Sequence, residues 1–143
     1  MKFPFQALSL LLLGSFCSHL YASGTLSAAE VRTLFSGKTV TGERQDYDTA
    51  GPGRGKWLNK FREQTISRFA EDGTYDEQSG QQHKTGKWRV DGEGHLCTEI
   101  QGLDEHCDAI IRRGDFYVRV MRNKFGRNLA QIRYTAFASG AGN

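Results

Sequence analysis

Cys97 and Cys107, each with a histidine close by in the chain, are the residues whose types and spacing best support chemistry. His95 lies two residues before Cys97, and His106 directly precedes Cys107. Two thiols this close in sequence can form a disulfide, whereas two thiolates and two imidazoles can also bind zinc. If both segments are strands, His95 and Cys97 share a face, but His106 and Cys107 point to opposite faces. The pattern therefore favours a Cys97–Cys107 disulfide, and neither a metal site nor a cofactor is predicted.

The third cysteine, Cys17, lies in a segment with the pattern of an export signal. Lys2 gives a positive start, residues 7–16 form an apolar run, and Ala22 is a small residue at a plausible cleavage site. We predict a signal peptide over residues 1–22 and one periplasmic or secreted domain over residues 23–143. Thiols oxidise in those compartments, which again favours the disulfide. The apolar run is shorter than a membrane span, so the mature chain is expected to lack a transmembrane segment.

Acidic and histidine side chains form no pattern typical of an active site. Five acids that could suggest a calcium site or a catalytic pair lie in or beside expected turns: Asp91, Glu93, Asp104, Glu105 and Asp108. The spacing of a calcium-binding loop is absent, as is the Gly-x-Ser-x-Gly sequence of many hydrolases. The histidines at positions 83, 95 and 106 could act as bases only with partners from distant strands. We therefore predict no catalytic residues.

Charge is unevenly distributed along the chain, whose formal net charge is +3. From residue 111 to the end, Asp115 is the only acid among seven basic residues. These cations could form the solvated outer face of neighbouring strands. Alternatively, they form a surface for an anionic partner such as lipopolysaccharide, an acidic polysaccharide or an acidic protein. Nucleic acid is not expected, because export separates the protein from it. The candidate surface residues are Arg112, Arg113, Arg119, Arg122 and Arg127.

The elements that must position these residues are one helix followed by short strands. Ser27-Ala28-Ala29-Glu30 is a capping box that predicts a helix over residues 27–36, and Gly37 supplies its end. Glycine-containing turns then separate segments rich in β-branched and aromatic residues. Residues 44–56 are polar and glycine-rich, and are expected to form a long mobile loop. The predicted strands cover residues 39–43, 57–63, 65–70, 74–78, 86–90, 95–101, 107–112, 116–122 and 129–137.

Eight or nine consecutive antiparallel strands predict an all-β fold, namely a small up-and-down, lipocalin-like barrel with one N-terminal helix. A β-sandwich is the alternative. Alternation in 96–100 places Leu96 and Ile100 on one face, and alternation in 116–122 separates the valines from the residues between them. If the barrel is hollow, six apolar side chains are candidates to face its ligand: Trp88, Val90, Leu96, Ile100, Val118 and Val120.

The helix block and two later blocks resemble a family of small exported proteobacterial proteins known only as a domain of unknown function. The likeness lies in residues 26–42, in Phe-Ala-Glu-Asp-Gly-Thr-Tyr at 69–75, and in Thr-Gly-Lys-Trp-Arg-Val-Asp-Gly at 85–92, with Leu96-Cys97 following. The strand, Asp-Gly turn and Gly-x-Trp of the middle block also occur widely in lipocalin-like barrels. The resemblance implies a periplasmic or secreted β-barrel and lends no catalytic residues.

Three functions follow as hypotheses. The first is a non-catalytic exported barrel that binds a small apolar ligand. The second is an inhibitor or envelope interaction protein that meets an acidic partner through its cationic outer surface. The third is an enzyme acting on cell-envelope material, with a histidine near a carboxylate in a cleft.

Overall fold

A computed structural model describes residues 24–48, 55–58 and 63–140, and these form ten strands and one helix. The all-β prediction is confirmed, whereas the predicted signal peptide, residues 1–22, lies outside the described residues. The elements in chain order are β1 Gly24–Thr25, α1 Ala28–Phe35, β2 Lys38–Asp46, β3 Glu63–Phe69, β4 Thr74–Ser79, β5 Gln82–Val90, β6 Leu96–Ile100, β7 His106–Asp108, β8 Ile110–Arg113, β9 Phe116–Arg122 and β10 Asn128–Ser139.

The capping box starts α1 as predicted. The backbone N–H of Ser27 donates to the Glu30 carboxylate at 2.8 Å, and the Ser27 hydroxyl accepts from the Glu30 N–H at 3.4 Å. These bonds satisfy two amides that the helix itself leaves without partners. The helix ends at Phe35, and Gly37 turns the chain with a φ of +68°, a conformation that side chains with a Cβ rarely adopt.

The ten strands form one antiparallel sheet that curls into a half-barrel. Its order is β1-β8-β9-β10-β2-β3-β4-β5-β6-β7, so the last strand pairs with the first long one. Residues 106–113 bend at Ala109: β7 pairs with β6, and β8 pairs with β9. This stretch of chain thus passes from β7, the last strand in the sheet order, to β8, the second, and the fold is barrel-like with α1 at one end.

The short strand β1 was not predicted, and β5 begins at Gln82 rather than at residue 86. Three further segments differ from the predicted strands. Residues 107–112 belong to two strands, because the chain changes partner at Ala109. A strand over 57–63 is not formed at its start, where Trp57 makes an isolated bridge to Tyr47, and residues 59–62 lie outside the described residues. β2 continues to Asp46, where a loop was predicted from residue 44. Polar cross-strand pairs hold this extension, since Gln131 Nε2 donates to Gln45 Oε1 at 2.6 Å. Residues 49–54 of the predicted loop are outside the description.

Aromatic rings fill the barrel beneath the helix. Phe35 inserts from α1 and contacts Phe69, Tyr134 and Phe137 edge-on, with centroid distances of 4.9, 5.2 and 5.5 Å. Trp88 meets Phe69 edge-on, and its Nε1 donates to the Ala70 carbonyl at 2.7 Å. Burial of these large side chains is the main apolar contribution to folding.

The predicted disulfide is confirmed. Cys97 of β6 and Cys107 of β7 lie directly opposite each other, with Cα atoms 3.9 Å apart and a sulfur–sulfur bond between them. Arg89 of β5 lies beside the bond and pairs with Glu105 through two hydrogen bonds of 2.7 and 2.6 Å. The cross-link therefore ties β6 to β7, the last strand in the sheet order.

Removing this cross-link should lower stability substantially. Replacing both cysteines by alanine is expected to reduce the free energy of unfolding by about 3 kcal/mol, because the unfolded chain regains the entropy of an open loop. Urea unfolding of the oxidised wild type, the reduced wild type and the double variant measures the loss. A change below about 0.5 kcal/mol would contradict the expectation.

Candidate functional site

The six candidate ligand-facing residues do not line one cavity. Trp88 and Leu96 belong to the packed core, and Val90 and Ile100 pack against it. Val118 is buried but lies outside that core cluster, whereas its neighbour Tyr117 packs against the core. Because side chains alternate along a strand, Val118 and Val120 lie on the opposite face of β9. The prediction is wrong for these two valines, since both faces of β9 carry apolar residues and alternation alone does not show which face points inward.

Beyond the aromatic rings, the interior becomes polar. Along β3 and β4 the paired positions change from Phe69 and Tyr75 to Ser67 and Glu77, and then to Thr65 and Ser79, with increasing distance from α1. The described ranges contain seven buried polar residues: Thr65, Ser67, Glu77, Ser79, Thr98, Asp108 and Arg119. An interior of this kind does not suit a purely apolar ligand at the end far from the helix.

Arg119 belongs to this interior, so its prediction as a surface residue is wrong. Its side chain is 2% exposed and lies in β9 opposite two core residues, Ile110 and Ile132. Nε donates to Asp108 Oδ2 at 2.9 Å, while Nη2 donates to Thr98 Oγ1 and to a backbone carbonyl, both at 3.0 Å. The charge is therefore neutralised and hydrogen-bonded inside the barrel.

Two buried tyrosines complete the network. Tyr75 Oη donates to Glu77 Oε2 at 2.6 Å and lies 3.3 Å from Ser67 Oγ, and Lys84 Nζ is 3.7 Å from Glu77 Oε1. Burial raises the pKa of Tyr75 well above its usual value, and the negative charge of Glu77 raises it further. Burial also raises the pKa of Tyr134. These groups bind one another, and this is typical of a polar core.

The four remaining candidate arginines lie in two separate places. Arg112 and Arg113 pair with the first two residues of β9, whereas Arg122 is its last residue, about 20 Å away for an extended strand. Arg127 lies in the turn that follows β9, near Arg122. A single surface containing all five arginines is therefore absent, because strand direction sends the two groups to opposite ends of the barrel.

A crevice of about 490 Å³ lies between α1 and the neighbouring barrel wall. It forms because α1 buries Val31 and Phe35 in the core, while the small side chains of Ala29 and Thr33 leave space on another side of the helix. Leu34, Tyr117 and Phe137 pack against the core and give the crevice an apolar floor. Its full lining is Leu26, Ala29, Glu30, Thr33, Leu34, Lys38, Arg112, Tyr117 and Phe137.

Arg112 is the most unusual side chain in this crevice. Its Nη2 donates to Tyr117 Oη at 3.4 Å, and its guanidinium carbon lies 5.4 Å from the centre of that ring. Its Nε is buried and has no hydrogen-bond partner among the described residues. The excess of basic residues after position 110 identified Arg112 as a candidate for contact with an anionic partner, but the eight other lining residues were not predicted.

Glu30 places a carboxylate at the crevice, and that carboxylate is already bound. The Ser27 backbone N–H and hydroxyl donate to the same Glu30 oxygen at 2.8 Å each. These bonds, first from the backbone and then from the side chain, hold the Glu30 pKa below its usual value, and the charge of Arg112 acts in the same direction. Glu30 is therefore ionised at neutral pH while serving the helix cap.

Other chemically active groups lie outside the crevice. Asp91, Glu93 and His95 bring possible metal ligands together in the turn before β6, but their contacts are with one another. His83 Nε2 lies 3.5 Å from Asp76 Oδ1 on neighbouring strands. In the part of the chain that is described, no helix is both long and apolar enough to cross a membrane.

Breaking the Asp108–Arg119 pair should destabilise the fold. Either Asp108→Asn or Arg119→Met is expected to reduce the free energy of unfolding by about 3–5 kcal/mol, because the remaining group is left buried without its partner. Arg122→Met, at an exposed position of the same strand, is the matched control and should change it by less than about 0.5 kcal/mol. Urea unfolding measures both, and equal effects at positions 119 and 122 would refute the buried pair.

The buried tyrosines should make the protein sensitive to alkali. Above the ordinary tyrosine pKa of 10.0, the unfolded chain ionises at positions where the folded chain stays neutral. The free energy of unfolding should therefore be unaffected by these groups below pH 10 and fall as pH rises above it. In an absorbance titration of the folded protein against pH, two tyrosines should ionise at higher pH than the others. Tyr75→Phe and Tyr134→Phe should each remove one of these two high-pH ionisations. Ionisation of all tyrosines together in the folded protein would contradict this.

Comparison with known proteins gave no match in any of three searches, against family models, curated proteins and solved structures.

Proposed function

We propose that the chain is a non-catalytic exported binding protein that takes a small, partly apolar ligand into the crevice beside α1. The observation that carries the proposal is the crevice itself, whose floor is apolar and whose lining includes three charged residues, Glu30, Lys38 and Arg112. Its volume of about 490 Å³ falls within the range of small-molecule sites. The proposed ligand position thus differs from the barrel interior suggested by the sequence.

The crevice is supported on both sides by firmly held structure. Its floor residues Tyr117 and Phe137 stack edge-on with centroids 5.5 Å apart, and Phe137 also contacts Phe35. Its other wall is a helix fixed by a complete capping box and by two buried side chains. A site that is formed before the ligand arrives loses little affinity to reorganisation.

An interaction protein is the second candidate, and a hairpin at the far end of the barrel favours it. Phe125 is 75% exposed in the β9–β10 turn, with Lys124 Nζ 5.3 Å from its ring centre. The Asn123 side chain accepts from two backbone amides of this turn, so the turn is locally braced. Arg122 and Arg127 flank it, and an acidic partner would suit this combination. The crevice is favoured because several apolar side chains form its floor, whereas the turn offers one exposed ring.

Filling the crevice should abolish ligand binding. Ala29→Trp places a large ring in the crevice from the exposed side of the helix, whereas Ala136→Trp adds the same ring at an exposed position on β10 outside it. With the uncharged fluorescent probe N-phenyl-1-naphthylamine, wild type and Ala136→Trp are expected to bind equally. Ala29→Trp should bind at least about tenfold more weakly, the loss of one well-buried contact.

Thermal unfolding of each variant verifies that the fold is retained. Equal probe binding by the two tryptophan variants would overturn the crevice as the site, and so would absence of probe binding by the wild type. Native mass spectrometry of protein from its own host then identifies any retained molecule.

A further inference from the structure

We propose that the ligand of the crevice is a single-chain amphiphile whose carboxylate binds Arg112. This inference rests on the proposed function and adds the chemical class of the ligand. It is argued from Arg112, from the charge of the crevice and from the apolar floor beside it.

Arg112 has an unused hydrogen-bond donor inside the protein. Its Nε is buried without a partner among the described residues, and the hydrogen bond that its Nη2 donates to Tyr117 Oη is long at 3.4 Å. A buried donor without an acceptor is unfavourable, and a turn of the Arg112 side chain towards the crevice brings Nε to a ligand acceptor that removes this cost. The flat guanidinium group donates from Nε and a neighbouring Nη in parallel, a geometry that matches the two oxygens of a carboxylate.

The charge of the crevice favours one negative group. Lys38 and Arg112 contribute two positive charges, and Glu30 contributes one negative charge that is already bound by Ser27. Lys38 Nζ donates to Ser139 Oγ at 2.9 Å. A cationic ligand would meet this net positive charge unfavourably, and a neutral acceptor such as a hydroxyl would give the Arg112 guanidinium a weaker hydrogen bond than a carboxylate does.

The apolar floor accounts for the remainder of the ligand. Tyr117 lies under the Arg112 guanidinium and contacts Phe137 edge-on, and Leu34 also lines the crevice. A small inorganic anion would leave this surface in contact with water, whereas an alkyl chain attached to the carboxylate would cover it. The volume of the crevice suits one chain of a small molecule rather than a two-chain lipid.

Calorimetry with three ligands of one chain length tests the proposal: decanoate, 1-decanol and decyltrimethylammonium, each below its micelle concentration. The wild type is expected to bind decanoate at least about tenfold more tightly than decanol, the value of one charge-assisted hydrogen bond. It should bind the ammonium compound most weakly. Arg112→Gln should remove the preference for decanoate over decanol, and Lys38→Gln should reduce it.

Arg113→Gln is the matched control, because Arg113 is the next residue in β8 but is exposed and outside this crevice. It should keep the full preference for decanoate. Equal binding of decanoate and decanol by the wild type would overturn the carboxylate inference and leave the binding function standing. A preference that survives both Arg112→Gln and Lys38→Gln would overturn the assignment of the residues. If Arg112→Gln fails to fold, the wild-type comparison and Lys38→Gln still decide.

Discussion

The insertion of Phe35 among Phe69, Tyr134 and Phe137 is the contact on which the arrangement of the molecule depends. It joins the helix to strands from both halves of the sheet, and it is reinforced by the burial of Val31. The same contact fixes how far α1 enters the barrel and which side of the helix stays open. The crevice is thus a direct product of core packing, since its floor shares Phe137 with the aromatic cluster.

A second constraint acts at the other end, where the interior is polar. Arg119 and Asp108 connect strands from the two ends of the sheet order, because Asp108 belongs to β7 and Arg119 to β9. A buried ion pair contributes little net stability compared with well-packed apolar residues, but it tolerates few alternative arrangements. Here it defines the relative position of the strands that close the barrel, while the aromatic cluster supplies most of the apolar burial.

Local signals predicted the local features well. The capping box of Ser27 and Glu30 and the strand over 116–122 appear as expected, and Cys97 and Cys107 face each other as their spacing indicated. The predictions that failed concern residues whose partners lie far away in the sequence. Nothing near Arg119 in the sequence shows that its side chain pairs with Asp108 and Thr98 in the folded protein. Its charge was therefore assigned to the surface. The crevice could not be predicted from the sequence either, because it forms where a helix and four strands meet in space.

The strand pairs differ in how far apart their partners lie in the sequence, and this sets the order in which they can form. The β6–β7 hairpin with its disulfide is formed by neighbours in the chain, whereas β2 must wait for β10, and a contact such as Gln45 with Gln131 spans 86 residues. Local pairings form quickly and distant ones slowly, because long loops must close first. β2 therefore carries an unpaired edge until the last strand of the sheet arrives. That interval is when a growing or refolding chain is most open to wrong pairing with another copy.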